Sequence, residues 1–146
     1  MKRVIRIICL ALCLLCATSC TDDIPSFESL LNYDTFMLAH ISYEDLADKK
    51  QYSACFGILS KEDVQRSSIE IELHTELTAT SSHMLGASDI IQAEKPIYIF
   101  VTYPIDVTFE QLPITLTYMT TAGEEVSKDY VLDFTQQSYE DKYYKK

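Results

Sequence analysis

From residue 35 onward, hydrophobic and polar side chains alternate with a period of two, as they do in strands that bury one face. The longest alternating run covers 69–79, where Ile, Ile, Leu, Thr and Leu at odd positions alternate with Glu, Glu, His, Glu and Thr at even ones. The same reasoning predicts further strands at 35–43, 52–59, 97–103, 105–109, 114–119 and 130–134.

The order of these segments indicates the architecture. Segment 97–103 is apolar on both faces, which predicts a central strand covered on both sides. A loop containing Gly123 joins 114–119 to 130–134, so we expect those two segments to form a hairpin. Strands at this spacing predict an all-β fold, an immunoglobulin-like β-sandwich of about seven strands. The chain has no tryptophan and therefore lacks the Cys–Trp–Cys pattern of antibody domains, so the prediction concerns architecture alone.

Polar segments lie on both sides of the predicted sandwich domain, 35–135. Residues 20–34 are expected to form a tether with one helical turn, capped by Ser26. Within the domain, 80–89 is expected to be a polar loop. Residues 136–146 are expected to be a polar tail that frays, and its tyrosines are candidates for an exposed aromatic patch. These are Tyr139, Tyr143 and Tyr144.

The composition is that of one folded domain. The chain has 146 residues, of which 47% are hydrophobic, and this length fits a single domain with its own core. With 3 glycines and 4 prolines, the chain is neither collagen-like nor of low complexity. The apolar fraction is too high for wholesale disorder.

The amino terminus has the composition of an export signal. Three basic residues precede an apolar stretch at 7–17, which suits a secretory signal and is too short for a membrane-spanning helix of roughly 20 residues. Small residues at 17–19 are followed by Cys20. This order of charge, apolar run, small residues and cysteine resembles the lipobox of bacterial lipoproteins, except that Ala17 stands where leucine is usual.

The resemblance implies that residues 1–19 are a signal peptide and that Cys20 is the lipid attachment site, with a thioether-linked diacylglycerol. Two or three acyl chains would hold the mature protein firmly in the cell envelope. Thr21 and the acidic pair at 22–23 resemble the sorting and export signals of such lipoproteins, which implies the outer membrane, on either its periplasmic or its surface-exposed face. The alternative is an ordinary secretory signal cut near residue 17 or 19, with Cys20 incidental.

Removal of residues 1–19 sharpens the charge of the chain. The whole sequence carries 12 basic and 22 acidic side chains, for a formal net charge of −10. The removed segment holds three of the basic side chains and no acidic one, so the mature chain has 9 against 22 and a net charge of −13. This balance argues against nucleic acid and against electrostatic binding to anionic headgroups, because both need clustered Lys and Arg.

Cysteine and histidine offer little chemistry in the mature chain. Besides Cys20 it keeps only Cys55, which lies in an apolar, strand-like run without a basic neighbour to stabilise a thiolate. We therefore predict a buried structural thiol and not a nucleophile paired with a histidine. The histidines lack the paired spacing of a metal site. They are His40, His74 and His83.

An acidic stripe on the predicted strand 69–79 is the other candidate. Glu70, Glu72 and Glu76 alternate there with apolar residues and share one face with His74. The spacing of alternate residues suits the carboxylate pair of some glycosidases, but an open sheet face offers nothing that raises the pKa of one acid. A solvated face is predicted, with a weak calcium site as the residual alternative. The sequence thus predicts no catalytic, metal or cofactor site, and no enzyme.

These observations favour a lipid-anchored envelope protein that binds another protein, in the envelope or outside the cell, as an accessory or assembly module. One alternative is an inhibitor or immunity-type lipoprotein that blocks a protease or toxin, with 80–89 as the candidate loop. The other is a glycan-binding module that uses tyrosines on a sheet face.

Overall fold

The computed structural model describes residues 24–43 and 50–145. Cys20 and the whole of 1–19 lie outside these residues. The described chain forms mostly strands, joined by short turns, with one short helix near each end. The strands are β1 Phe36–Tyr43, β2 Gln51–Leu59, β3 Val64–Gln65, β4 Glu70–Leu73, β5 Thr80–His83, β6 Ile90–Ile91, β7 Pro96–Pro104, β8 Gln111–Met119 and β9 Glu125–Asp133. The helices are α1 Phe27–Leu30 and α2 Tyr139–Tyr143, with a 3-10 turn at Arg66–Ser68.

Seven of these strands form two antiparallel sheets. The first sheet has the order β1-β2-β7-β5 and the second has the order β4-β8-β9, while β3 and β6 form a separate two-stranded ribbon. Numbering the seven sheet strands A to G in chain order gives A-B-E-D and C-F-G, which is the strand order of a constant-type immunoglobulin domain. The prediction of an all-β, immunoglobulin-like sandwich of about seven strands is confirmed.

The core lies between the two sheets and follows the predicted period of two. Along β7 and β8, alternate residues are buried and their neighbours are half-buried or exposed. The two central strands supply most of the core, together with Phe56 and Ile58 of β2. Each such side chain contributes about 1.5–3 kcal/mol when it leaves water. The buried residues of the central strands are Ile97, Ile99, Val101, Tyr103, Leu112, Ile114, Leu116 and Tyr118.

Three segments within the predicted sandwich domain differ from the sequence prediction. The strand expected at 69–79 ends at Leu73, and the chain then turns, leaving Leu77 51% exposed. The polar loop expected at 80–89 begins with β5, which pairs with β7 at the edge of the first sheet, where few apolar side chains are needed. The strand expected at 105–109 is a turn, closed by the amide of Val107 donating to the carbonyl of Pro104 (3.0 Å).

The terminal segments pack together on the outer face of the first sheet. Phe27 and Leu31 from the expected tether and Tyr139 from the expected fraying tail are buried in a second apolar cluster, which also covers Tyr98 of β7. The tail expected to fray instead forms α2 over Tyr139–Tyr143, and Tyr139 is buried and not part of an exposed patch. Ser138 caps α2, with its hydroxyl accepting from the amide of Asp141 (3.2 Å). None of the helices formed by residues 24–43 and 50–145 is long and apolar enough to span a membrane.

Candidate functional site

Cys55 is buried, as predicted, and the fold keeps it away from His40. It pairs with Ala39 across β1 and β2, while His40 pairs with Ala54, so the two side chains point to opposite faces of the first sheet. Burial, with a smaller contribution from Glu140, raises the pKa of the Cys55 thiol to about 12. A thiol that stays protonated and has no base beside it is a packing residue.

The three histidines occupy three separate environments. His40 points into the core side of the first sheet, where its Nε2 lies 2.8 Å from the hydroxyl of Tyr103 and desolvation lowers its pKa. His74 lies on the second sheet, 2.7 Å from the hydroxyl of Thr115. His83 ends β5, and desolvation lowers its pKa as well. Within the described residues, no group of three His, Cys, Asp or Glu side chains is placed to bind one metal ion.

The acidic stripe is shorter than the sequence predicts. Glu70 and Glu72 are exposed on the outer face of β4, opposite Thr117 and Thr115 of β8, whereas Glu76 belongs to the turn that follows. The three carboxylates therefore do not share one strand face, since β4 holds only Glu70 and Glu72.

A groove of about 770 Å³ crosses the outer face of the second sheet next to this stripe. In its floor the hydroxyl of Thr115 donates to Asp129 (2.7 Å), so its oxygen is left to accept from the Nε2–H of His74. At the rim, the amide and hydroxyl of Thr135 donate to Asp133 and lower the pKa of that carboxyl. The groove is therefore acidic and suits a cationic or polar group of a partner, not an anion.

The most exposed large hydrophobic side chain described is Leu85, which is 83% exposed. It lies in the loop between β5 and β6, residues 84–89, which we call the apolar loop. Met84 within the loop and Ile90 just after it are also exposed. Several exposed apolar side chains that are close together in the chain mark an interaction site more strongly than scattered ones do.

Arg66 holds the backbone of the apolar loop. Its guanidinium donates to the carbonyl oxygens of Met84 (Nη1, 2.6 Å) and Ser88 (Nε, 2.9 Å), and its own amide donates to the carbonyl of Asp89 (2.6 Å). A Cβ added at Gly86 would lie 2.9 Å from Arg66 Cζ, which shows how closely the loop backbone packs on the guanidinium plane.

A second set of bonds closes the base of the apolar loop. The carboxylate of Asp89 accepts from the amide of Ser67 (2.8 Å) and from its hydroxyl (2.9 Å). The loop is thus held at both ends by the 3-10 turn, about twenty positions earlier in the chain. Sequence reasoning singled out 80–89 as a candidate loop but had no local signal for Arg66, because its partners are backbone carbonyls.

The tyrosine side chains that the structure describes do not form a row on an exposed sheet face. Tyr33 and Tyr144 are the exposed ones among the described tyrosine side chains, and they lie in the terminal segments. The described sheet tyrosine side chains are buried or half-buried, and one of them, Tyr103, meets Tyr52, Phe109 and Phe134 in tilted or edge-on contacts. The buried or half-buried sheet tyrosines are Tyr52, Tyr98, Tyr103, Tyr118 and Tyr130.

Comparisons with known proteins give distant structural likenesses. No protein-family model and no curated protein matches the sequence. The GAE domain of yeast GGA1 is similar at 12% identity and a TM-score of 0.38, over 68% of this chain and 97% of that domain. The GAE domain of GGA2p from Saccharomyces cerevisiae is similar at 6% identity and a TM-score of 0.37, over 73% and 93%.

A FixG-related protein from Vibrio parahaemolyticus is similar at 7% identity and a TM-score of 0.29, over 68% of this chain and 94% of its own. Likenesses at these identities and TM-scores carry no argument about partners or activity.

Proposed function

We propose that this chain is a lipid-anchored protein of the cell envelope, at the outer membrane, which binds another protein as an accessory or assembly module. The anchor rests on the lipobox-like sequence that ends at Cys20. Protein binding rests on one structural observation, the apolar loop that Arg66 holds in a fixed shape.

A loop that is ordered before binding loses little conformational entropy when a partner closes over it. In the apolar loop the backbone is tied down while the side chain of Leu85 stays in water. Burial of that side chain in a partner's pocket would contribute about 1.5–3 kcal/mol to the free energy of binding. This contribution would not be offset by a cost of ordering the loop. The acidic groove on the second sheet gives a second, polar surface for the same partner or another.

The same loop also suits the inhibitor alternative, since a rigid apolar loop fits the specificity pocket of a protease. The glycan alternative has weaker support, because the described tyrosines do not line a sheet face. The partner's identity separates the first two: an inhibitor contacts a hydrolase or toxin, whereas an assembly module contacts a stable envelope component.

In-cell photocrosslinking tests the loop. A photoreactive amino acid at Leu85 should give a discrete adduct, and one at Leu77 should not, although Leu77 is 51% exposed in the turn at the other end of β5. Leu85→Asp should abolish the adduct formed from a second probe at Met84, with the fold unchanged. Adducts of equal yield from positions 77 and 85, or no adduct from 85, would remove the loop from the interface.

Substitution of Cys20 tests the anchor. Cys20→Ser should abolish metabolic labelling with palmitate and move the protein to the soluble fraction, because the thioether cannot form. Cys55→Ser is the matched control and should leave labelling intact, since that thiol is buried in the domain. Labelling that persists in Cys20→Ser would show that the lipobox assignment is wrong.

A further inference from the structure

The described chain begins on one face of the folded domain. The hydroxyl of Tyr139 in α2 donates to the carbonyl of Pro25 (2.7 Å), which fixes the first described residues against the outer side of the first sheet. We call this surface, formed by 24–31 and 138–145, the helical face. Ile24, where the described chain begins, is 43% exposed on it.

Very little chain separates this face from the proposed lipid. Four peptide steps join Cys20 to Ile24, and they span at most about 14 Å even when fully extended. The sequence alone suggested a tether of 20–34, but 27–31 are packed on the sheet and add no reach. A lipid on Cys20 therefore keeps the helical face next to the membrane.

The side chains of the helical face fit an interfacial position. Tyr144 is 64% exposed, and Lys142 and Lys145 are exposed beside it at the end of α2. Tyrosine and lysine are favoured at the level of lipid headgroups, where the ring or alkyl stem is covered and the polar end stays wet. Three acids on this face, Glu28, Glu140 and Asp141, leave its charge nearly balanced.

The opposite face of the sandwich has a different charge. Residues that point outward from the second sheet include five acids and no lysine or arginine among the described strands β4, β8 and β9. A bilayer with anionic headgroups repels such a face. This face is also separated from the helical face by the thickness of the sandwich, because the two sheets are about 10 Å apart and a layer of side chains lies outside each. We call this outer surface of the second sheet the acidic face; its five acids are Glu70, Glu72, Glu125, Asp129 and Asp133.

We propose that the helical face lies on the bilayer surface, with Ile24 and Tyr144 at headgroup level, and that the acidic face points away from it. This inference rests on the proposed lipid anchor. It assigns the groove of His74, Thr115 and Asp129 to the side that faces soluble or neighbouring proteins, and it excludes that groove as a lipid contact.

Depth-dependent quenching tests the orientation. The full-length protein is matured in cells, purified with its lipid and placed in vesicles of zwitterionic and anionic phospholipid that carry a quencher in the acyl chains. Tyr144→Cys and Glu72→Cys variants carry an environment-sensitive thiol probe; both sites are exposed, so neither change disturbs the core. Cys55 does not compete for the probe because it is buried.

We expect the probe at 144 to be quenched several-fold more than the probe at 72. Lys142→Cys gives a second site on the helical face and should behave like 144. Equal quenching at 72 and 144 in protein whose mass includes the acyl chains would overturn the orientation while leaving the anchor intact. A mature mass without acyl chains would overturn the anchor, and the orientation with it.

Discussion

The hydroxyl of Tyr139 donates a 2.7 Å hydrogen bond to the carbonyl of Pro25, a residue 114 positions earlier in the chain. The ring of Tyr139 also meets that of Phe27 edge-on, with centroids 5.5 Å apart. One side chain thus joins both terminal segments to each other and to the first sheet.

Tyr139→Phe should loosen the terminal segments without unfolding the sandwich. The ring and its contact with Phe27 remain, but the bond to Pro25 is lost, and a half-buried carbonyl loses its partner. We expect faster amide exchange in α2 and a small decrease in the urea midpoint. Tyr143→Phe removes a hydroxyl from the same helix and is the control. Unchanged exchange in α2 would show that the bond to Pro25 does not hold the segments together.

Gly57→Ala should displace α1. A Cβ at Gly57 would lie 2.9 Å from Phe27 Cε1 and 3.0 Å from Leu31 Cδ2, both in the second apolar cluster. Forcing a methyl group into packed surroundings costs about 1–3 kcal/mol, which urea unfolding would measure as a lower free energy of unfolding. Phe27→Leu makes room and should recover part of the loss when combined with Gly57→Ala. A double variant that shows simple additivity would contradict this contact.

Arg66→Gln should free the apolar loop while leaving the sandwich folded. The loop backbone loses two bonds to a charged donor, which are worth on the order of 1–3 kcal/mol each. Amide exchange and limited proteolysis at 84–89 should therefore accelerate, and the global unfolding midpoint should change much less. Lys128→Gln, an exposed change on β9, is the control. Protection at 84–89 that survives Arg66→Gln would mean that Asp89 and Ser67 hold the loop by themselves.

The Cys55 thiol should be unreactive in the folded protein. Its pKa is raised to about 12, mainly by burial, so at pH 8 it stays protonated in the native state. Peptide mass spectrometry after iodoacetamide treatment should find Cys55 unmodified in buffer and alkylated in urea. Rapid alkylation of the native protein would contradict its burial.

The same raised pKa links Cys55 to stability at alkaline pH. In the unfolded chain the thiol ionises near its ordinary value of 9.0, whereas in the folded chain it stays neutral up to about 12. The unfolded state therefore loses its proton first, and the free energy of unfolding falls as the pH rises above about 9. Tyr103 and Tyr130 act in the same direction, since burial raises their pKa values to about 12. In Cys55→Ala, the free energy of unfolding should therefore fall less between pH 8 and pH 11. Urea unfolding at a series of pH values measures this difference.

The β8–β9 hairpin shows which parts of the fold were predictable. Its determinants are local: alternation along 114–118 and a loop in which Gly123 takes a positive φ of 84°. The amide of Gly123 donates to the carbonyl of Thr120 (3.0 Å) and closes the turn. A sequence window of about twenty residues contains this whole unit, so its prediction needed no knowledge of the rest of the chain.

Strand β5 shows the opposite case. Its sequence, Thr-Ser-Ser-His, has no apolar alternation, and it becomes a strand because β7 presents a free edge to it. The apolar loop that follows was recognised as a loop, but its fixed shape depends on Arg66, which no pattern within 80–89 reveals. The lipid on Cys20 stays a prediction, as it lies outside the described residues.

By itself, the sequence determined the buried faces of the central strands, the hairpin, the burial of Cys55 and the strongly acidic charge of the proposed mature chain. These properties depend on neighbouring residues or on simple counts, and a period of two records directly which side leaves water. The tertiary structure decided that both terminal segments pack on the first sheet and that Arg66 holds the apolar loop. Such contacts join residues far apart in the chain. They form only after folding has placed the apolar outer face of the first sheet beside the terminal segments and the carbonyls of the apolar loop beside Arg66.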